Sequence, residues 1–163
     1  MQNILYAPWR TEYVSNKKIE GCVFCHISTH AQDDATLHVL YRDEHCFMVM
    51  NKYPYTPGHF MIIPHKHTDK LEELDPEVWL HMSALAQKGV RLLKEGMKSH
   101  GVNIGMNLGS AGGAGIAEHI HLHIVPRWER DTNFITSIAH NRVYSTDFEK
   151  IYQRIKELVD IYI

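Results

Sequence analysis

A chain of 163 residues with 44% hydrophobic and 22% charged side chains reads as one globular domain, neither disordered nor fibrous. Its formal charge of −2 and pI near 6.7 exclude a broad electrostatic grip on a nucleic acid polymer and leave room only for a local basic pocket. No stretch approaches the roughly eighteen apolar residues of a membrane span, and the start lacks a basic segment followed by an apolar run, so a soluble cytoplasmic protein is expected.

In chain order, residues 1–20, with Tyr6, Trp9 and Tyr13, read as an N-terminal extension packed onto a single domain spanning 1–163. Thr36–Asp43 and His45–Tyr53 are expected strands, and Pro54, Pro57 and Gly58 then turn the chain into a third, His59–His65. Asp75 before Pro76 predicts an N-cap and first helical residue. Val78, Met82, Leu85, Ala86, Leu92, Leu93 and Met97 mark the apolar face of a long helix ending near Gly101, although Gly89 and Gly96 lower its propensity. Val102–Asn107 is a fourth strand, "GSAGGAG" a glycine loop, and "HIHLHIV" (His119–Val125) a fifth. Thr146 and Glu149 predict a capping box for a C-terminal helix over 146–161. Hairpins, one long helix and another hairpin give an α+β fold with a mostly antiparallel five-stranded sheet.

The compositional outlier is histidine, with 13 in the chain. In an extended strand His119, His121 and His123 fall on one face, while Ile120, Leu122 and Ile124 form the opposite, core-facing row. The spacing also fits a row of hydrated surface rings. A neutral imidazole is a nucleophile and proton carrier near neutral pH. Upstream, "NLGSAGGAG" can bare backbone N–H groups to phosphate oxygens, although it is no Walker loop and a plain turn fits equally. Downstream, Arg127 is a candidate phosphate partner and Trp128 a candidate stacking surface. Together they suggest phosphorus chemistry without an obligatory catalytic metal.

"HIHLHIV" matches the pattern His-φ-His-φ-His-φ-φ, and the chain resembles the histidine triad (HIT) superfamily of nucleotide hydrolases and transferases. "NKYPYTPGHFMIIP" resembles its strand–turn–strand. "APWR", "GCVFC", "NLG", "AEH" and "VPRW…DTNF" are similar to the bacterial branch of diadenosine tetraphosphate phosphorylases. The resemblance covers roughly residues 5–136. It implies that His121 attacks the α-phosphorus of an adenosine nucleotide to form a nucleotidyl-histidine, with His123 and loop amides stabilising phosphoryl charge. It further implies that Asn51 contacts the ribose, His59 lines the nucleotide site and Asn107 contacts the phosphate chain. Ala114 and Gly115 stand where many relatives carry Ser, Thr or Gln, so side-chain contacts to the leaving group are missing there or replaced by backbone donors. Relatives are commonly homodimers that pair the long helix and one strand across a two-fold axis.

Of the 3 cysteines, Cys22 and Cys25 form C-x-x-C, which reads as metal or redox use rather than a secreted disulfide framework. Two soft ligands need two more for a closed zinc site. The resemblance supplies His67 and His119, with His65 a competitor for the third place, and makes the zinc structural. A zinc hydrolase is disfavoured because H-E-x-x-H is absent and the C-x-x-C precedes any H-x-E. Within the enzyme reading, phosphorolysis of diadenosine polyphosphates is favoured. Hydrolysis of dinucleotides or phosphoramidates, and a nucleotide sensor with negligible turnover, are the alternatives.

Overall fold

The computed structural model describes residues 21–131 and 146–163; the expected N-terminal extension and the end of the "DTNF" segment lie outside them. Helix α1 (Val23–Thr29) leads to strands β1 (Val39–Arg42), β2 (Cys46–Met50) and β3 (Phe60–Pro64). Helix α2 (Pro76–Arg91) runs on through a widened turn, Leu92–Gly96, to β4 (Gly101–Gly105), β5 (Leu122–Arg127) and helix α3 (Phe148–Tyr162). The sheet has five strands in the order β1-β2-β3-β5-β4, every neighbouring pair antiparallel. The expected α+β architecture is therefore present. No helix among the described residues is long and apolar enough to cross a membrane.

Alternation along the strands divides the sheet into two different faces. Met48, Met50, Phe60, Ile62, Leu122 and Ile124 point into the main core, where they meet Met82, Leu85 and Leu92 of the α2 segment and Tyr152, Ile155 and Leu158 of α3. Val39, Phe47, Val49, Met61 and Ile63 face the other way and are covered by Phe24 and Ile27 of α1. The sequence pattern did not contain α1 as a helix, because two apolar residues three apart are too few to set a period. Its C-terminus is held from β1: the Arg42 guanidinium donates to the Ile27 and Ser28 carbonyls at 2.9 and 3.0 Å while pairing with Asp34. Helix ends leave such carbonyls unsatisfied, so one half-buried cation caps α1 and fixes it over the sheet.

Asp75 is the N-cap of α2, accepting from the Glu77 N–H at 2.8 Å, as expected. The capping box at Thr146 is corrected: Asp147 caps α3, accepting from the Lys150 N–H at 3.0 Å. Glu149 bonds His38 and Gln153 instead of reaching back to the helix start. The fifth strand begins at Leu122 rather than at His119, so only His123 of the three histidines stands in the ladder.

Gly96 marks where α3 crosses the end of the α2 segment; a Cβ there would lie 2.6 Å from one Leu158 methyl and 2.8 Å from the other. Crowding of about 1–3 kcal/mol opposes the gain of about 1 kcal/mol in helix propensity. Gly96→Ala is therefore expected to lower the denaturant midpoint, and pairing it with Leu158→Ala to recover part of the loss. A raised midpoint in the single variant would contradict this packing.

Candidate active site and metal centre

Segment 119–123 carries the histidines to the α1-covered face, and Ile120, Leu122 and Ile124 to the core. The rings are not outward: His119, His121 and His123 are 0%, 6% and 9% exposed. The difference from expectation is the α1 cover, whose Phe24 ring lies 5.6 Å from His119 and 5.1 Å from His121. Phe24 sits between the two cysteines of the C-x-x-C, and nothing in that spacing marks it as part of the site.

A carbonyl oxygen can only accept, so each ring that bonds one has a fixed tautomer. His121 Nδ1 donates to the His119 carbonyl at 2.9 Å, leaving a lone pair on Nε2. His119 Nε2 donates to the Pro64 carbonyl at 3.0 Å, leaving the Nδ1 lone pair toward the sulfurs, 3.4 Å from Cys22 and 3.7 Å from Cys25. His123 Nδ1 lies 2.9 Å from His59 Nε2, and its own Nε2 is buried without a partner among the described residues. Burial, then the neighbouring His121, pushes His123 down to about 4. Burial, then His123 and His121, pushes His59 down to about 3.

The expected substrate residues are only partly gathered. Asn107, His123 and Arg127 line one cavity of about 350 Å³ with Tyr55, Asn103 and Gly105. Asn107 arrives there because Gly105, two residues earlier, pairs with His123. Arg127 is bound to Asp131 at 2.6 and 2.9 Å and to Asn103 at 2.9 Å, so its charge is already compensated. His59 is wholly buried behind His123, and the Asn51 carboxamide lies against its ring. Ala114 is half-buried and Gly115 exposed in the loop, whose Gly109 and Gly113 have φ of 69° and 83°. Trp128 is tied by its indole N–H to the Lys98 carbonyl at 3.1 Å. A slightly larger depression of about 390 Å³ lies on the helical face among Trp79, Ala86, Val90, Ile104 and Leu122, away from every triad ring.

Cys22, Cys25, His67 and His119 bring four ligand atoms within 4.8 Å of one another. His67 Nδ1 is 3.2 Å from Cys25 Sγ. His65 is bound elsewhere, to Ser28 at 2.7 Å and the Asp43 carbonyl at 2.9 Å. Burial, then Cys22, raises the Cys25 thiol, and burial lowers His119. A thiophilic divalent cation among them would reverse the disadvantage of thiolate charge, and the carbonyl behind His119 is the usual support of a histidine ligand. The four residues therefore fit a metal.

Asp43, Cys46 and His81 also lie within 4.8 Å. There the carboxylate already accepts from the His45 and Cys46 N–H groups at 2.8 and 3.0 Å and from His81 at 2.6 Å. Burial, then Asp43, pushes the Cys46 thiol up to about 12. This second group is a hydrogen-bonded clamp between the β1–β2 turn and α2.

This antiparallel sheet, with three adjacent histidines meeting a fourth beside a glycine loop, defines a histidine triad protein. The chain belongs to the HIT domain family, which matches residues 32–130. It is 42% identical over 105 residues to the AP-4-A phosphorylase of Mycobacterium tuberculosis, covering 64% of this chain and 54% of that protein. It is 34% identical over 110 residues to an adenylylsulfatase of Arabidopsis thaliana, covering 68% and 54%. The chain thus spans about half the length of these curated relatives. A zinc-bound histidine triad family protein from Mycobacterium smegmatis aligns with a TM-score of 0.70 at 32% identity, over 86% of this chain and 94% of that one.

Two outcomes are expected from this geometry. Metal analysis of chelator-free protein should find about one thiophilic divalent ion per chain and much less in Cys22→Ser; equal loading would remove Cys22 from the ligand set. The second concerns acid. With His59 and His123 held near 3 and 4, below the ordinary value of 6.5, the unfolded chain binds more protons across that interval. Stability then falls as pH drops from about 6.5. His59→Phe should show a shallower loss of unfolding free energy between about pH 7 and pH 4.5, and parallel profiles would contradict it.

Proposed function

We propose that the protein is a nucleotidyl hydrolase or transferase that cleaves adenosine polyphosphates at the α-phosphorus, with phosphorolysis of diadenosine polyphosphates its favoured reaction. The observation that carries this reading is the His121–His119 hydrogen bond, which uses Nδ1 of His121 and reserves Nε2 for attack on phosphorus. His121 Nε2 forms a bond to the α-phosphorus as the bond to the leaving polyphosphate oxygen breaks. An oxygen of inorganic phosphate then attacks the same phosphorus and the Nε2–P bond breaks, giving ADP. His123 and the amides of the glycine loop would donate to the phosphoryl oxygens, a reading supported by the buried, unpartnered Nε2 of His123. Asn107 contacts the phosphate chain at the mouth of the loop, and Asn51 the ribose.

The relative's name supports the phosphorylase choice, and the zinc-bound neighbour supports zinc as the ion held by Cys22, Cys25, His67 and His119. The ion ties α1 to the segment before β5, and its four protein ligands leave no position for an activated water, so its role is structural. A homodimer is supported by the exposed Ile104 of edge strand β4 and the apolar depression it shares with Trp79, Ala86 and Val90. Cleavage of adenylyl phosphoramidates is the alternative, since it passes through the same intermediate.

Incubation of diadenosine tetraphosphate should give ADP and ATP in the presence of phosphate, with a label from the adenylyl group trapped on His121. AMP and ATP irrespective of phosphate would leave a hydrolase, not a phosphorylase. His121→Ala should lower turnover by about 10⁴-fold or more, and near-normal turnover would remove the nucleophile assignment.

A further inference from the structure

We propose that Asp131 is a specificity-determining residue: it occupies the anion-binding edge of Arg127 and so takes long-range charge out of the selection of ligands in the His123 cavity. That those ligands are phosphate chains rests on the nucleotidyl-transfer reading above; the masking of the guanidinium does not.

His123, Val125 and Arg127 alternate onto one face of β5 and line the cavity together. Four residues of strand set the Arg127 backbone about 13 Å along from that of His123. A free cation there would draw in the remainder of a phosphate chain rather than the reacting phosphorus. A guanidinium grips phosphate best through two parallel N–H donors on one edge. On Arg127 that edge is taken, since Nε and Nη2 donate to the two Asp131 oxygens at 2.6 and 2.9 Å. Nη1 donates to the Asn103 carboxamide oxygen at 2.9 Å. The pair offers the cavity no net charge.

The bridge is not needed to hold its own turn. Residues Trp128–Asp131 close through the Asp131 N–H on the Trp128 carbonyl at 3.1 Å. The Glu129 N–H bonds His100 Nδ1 at 2.9 Å, and the Trp128 indole bonds the Lys98 carbonyl at 3.1 Å. These three ties are independent of the bridge, which leaves the Asp131 carboxylate an electrostatic task. Arg130 even takes a φ of 67°, unfavourable for an L-residue, in the turn that folds Asp131 back onto β5. Attraction felt equally by ground and transition states lowers KM without raising kcat. Masking Arg127 removes attraction of that kind, and discrimination passes to groups that touch the ligand.

Inorganic tripolyphosphate and orthophosphate, titrated into the full chain, test the masking without turnover. Asp131→Asn, which keeps the size and drops the charge, should bind tripolyphosphate about tenfold more tightly and orthophosphate about twofold. Arg127→Met with Asp131→Asn, uncharged overall like the native pair, should return to within about threefold of the wild type. The wild type itself should lose less than about threefold in tripolyphosphate affinity between roughly 50 and 300 mM KCl, and Asp131→Asn clearly more. With diadenosine tetraphosphate as substrate, Asp131→Asn should lower KM more than it changes kcat. Unchanged tripolyphosphate affinity in folded Asp131→Asn overturns the proposal. So does an equal gain in the double variant, or a steep salt dependence in the wild type. Absence of adenylyl label on wild-type His121 would instead overturn the function proposed above and leave the binding results standing.

Discussion

The bond from His121 Nδ1 to the His119 carbonyl, 2.9 Å long, joins the two chemical halves of the molecule in one peptide unit. His119 offers its ring Nδ1 to the sulfur cluster, its Nε2 to Pro64 and its backbone oxygen to the nucleophile candidate. The next amide, Ile120 N–H, bonds the Thr68 carbonyl at 2.8 Å, one residue after the ligand candidate His67. Any displacement of the cluster therefore moves the acceptor that sets the tautomer of His121. Position of the nucleophile and integrity of the metal centre are one constraint.

That constraint explains why the sheet needs a cover on each face. The helical face is ordinary apolar packing. The other face is covered by Phe24 and Ile27 of a short helix, with Phe24 against the His119 and His121 rings and Tyr55 against those of His59 and His123. A seven-residue helix has little stability of its own. It stays in place because Arg42 caps one end and the cysteines lie at the other, bracketing Phe24 against the histidine rings.

Much of this was legible because it is periodic. The alternation of His119, His121 and His123 with Ile120, Leu122 and Ile124 located the candidate site, and Asp75–Pro76 located the start of α2, whose α-helical turns end at Arg91 rather than near Gly101. What was not legible is long-range or carried by backbone. Arg42 looks like any strand residue until Ile27 and Ser28 are known to end a helix beside it. The Tyr55 amide that orders His59 has no side-chain signature at all. His59, expected to line the nucleotide site, is wholly buried, with Nδ1 facing the Tyr55 amide and Nε2 facing His123. Thr146 lost the cap to Asp147 because Glu149, its expected partner, is drawn outward to His38.

The charge pattern of the site follows from the same arrangement. Arg127 is the sole cation lining the His123 cavity among the described residues, and Asp131 takes the Nε–Nη2 edge of its guanidinium while Asn103 accepts from Nη1. The anionic substrate proposed for this cavity would meet neutral polar groups instead: the His123 ring and the Asn103 and Asn107 carboxamides. Neutral dipoles attract an anion weakly at long range but strongly in contact, where water is excluded and their orientation is already fixed. Such a site gains little by binding any polyphosphate from a distance. Under the proposed reaction it would favour the configuration in which negative charge has built up on oxygens in contact with His123.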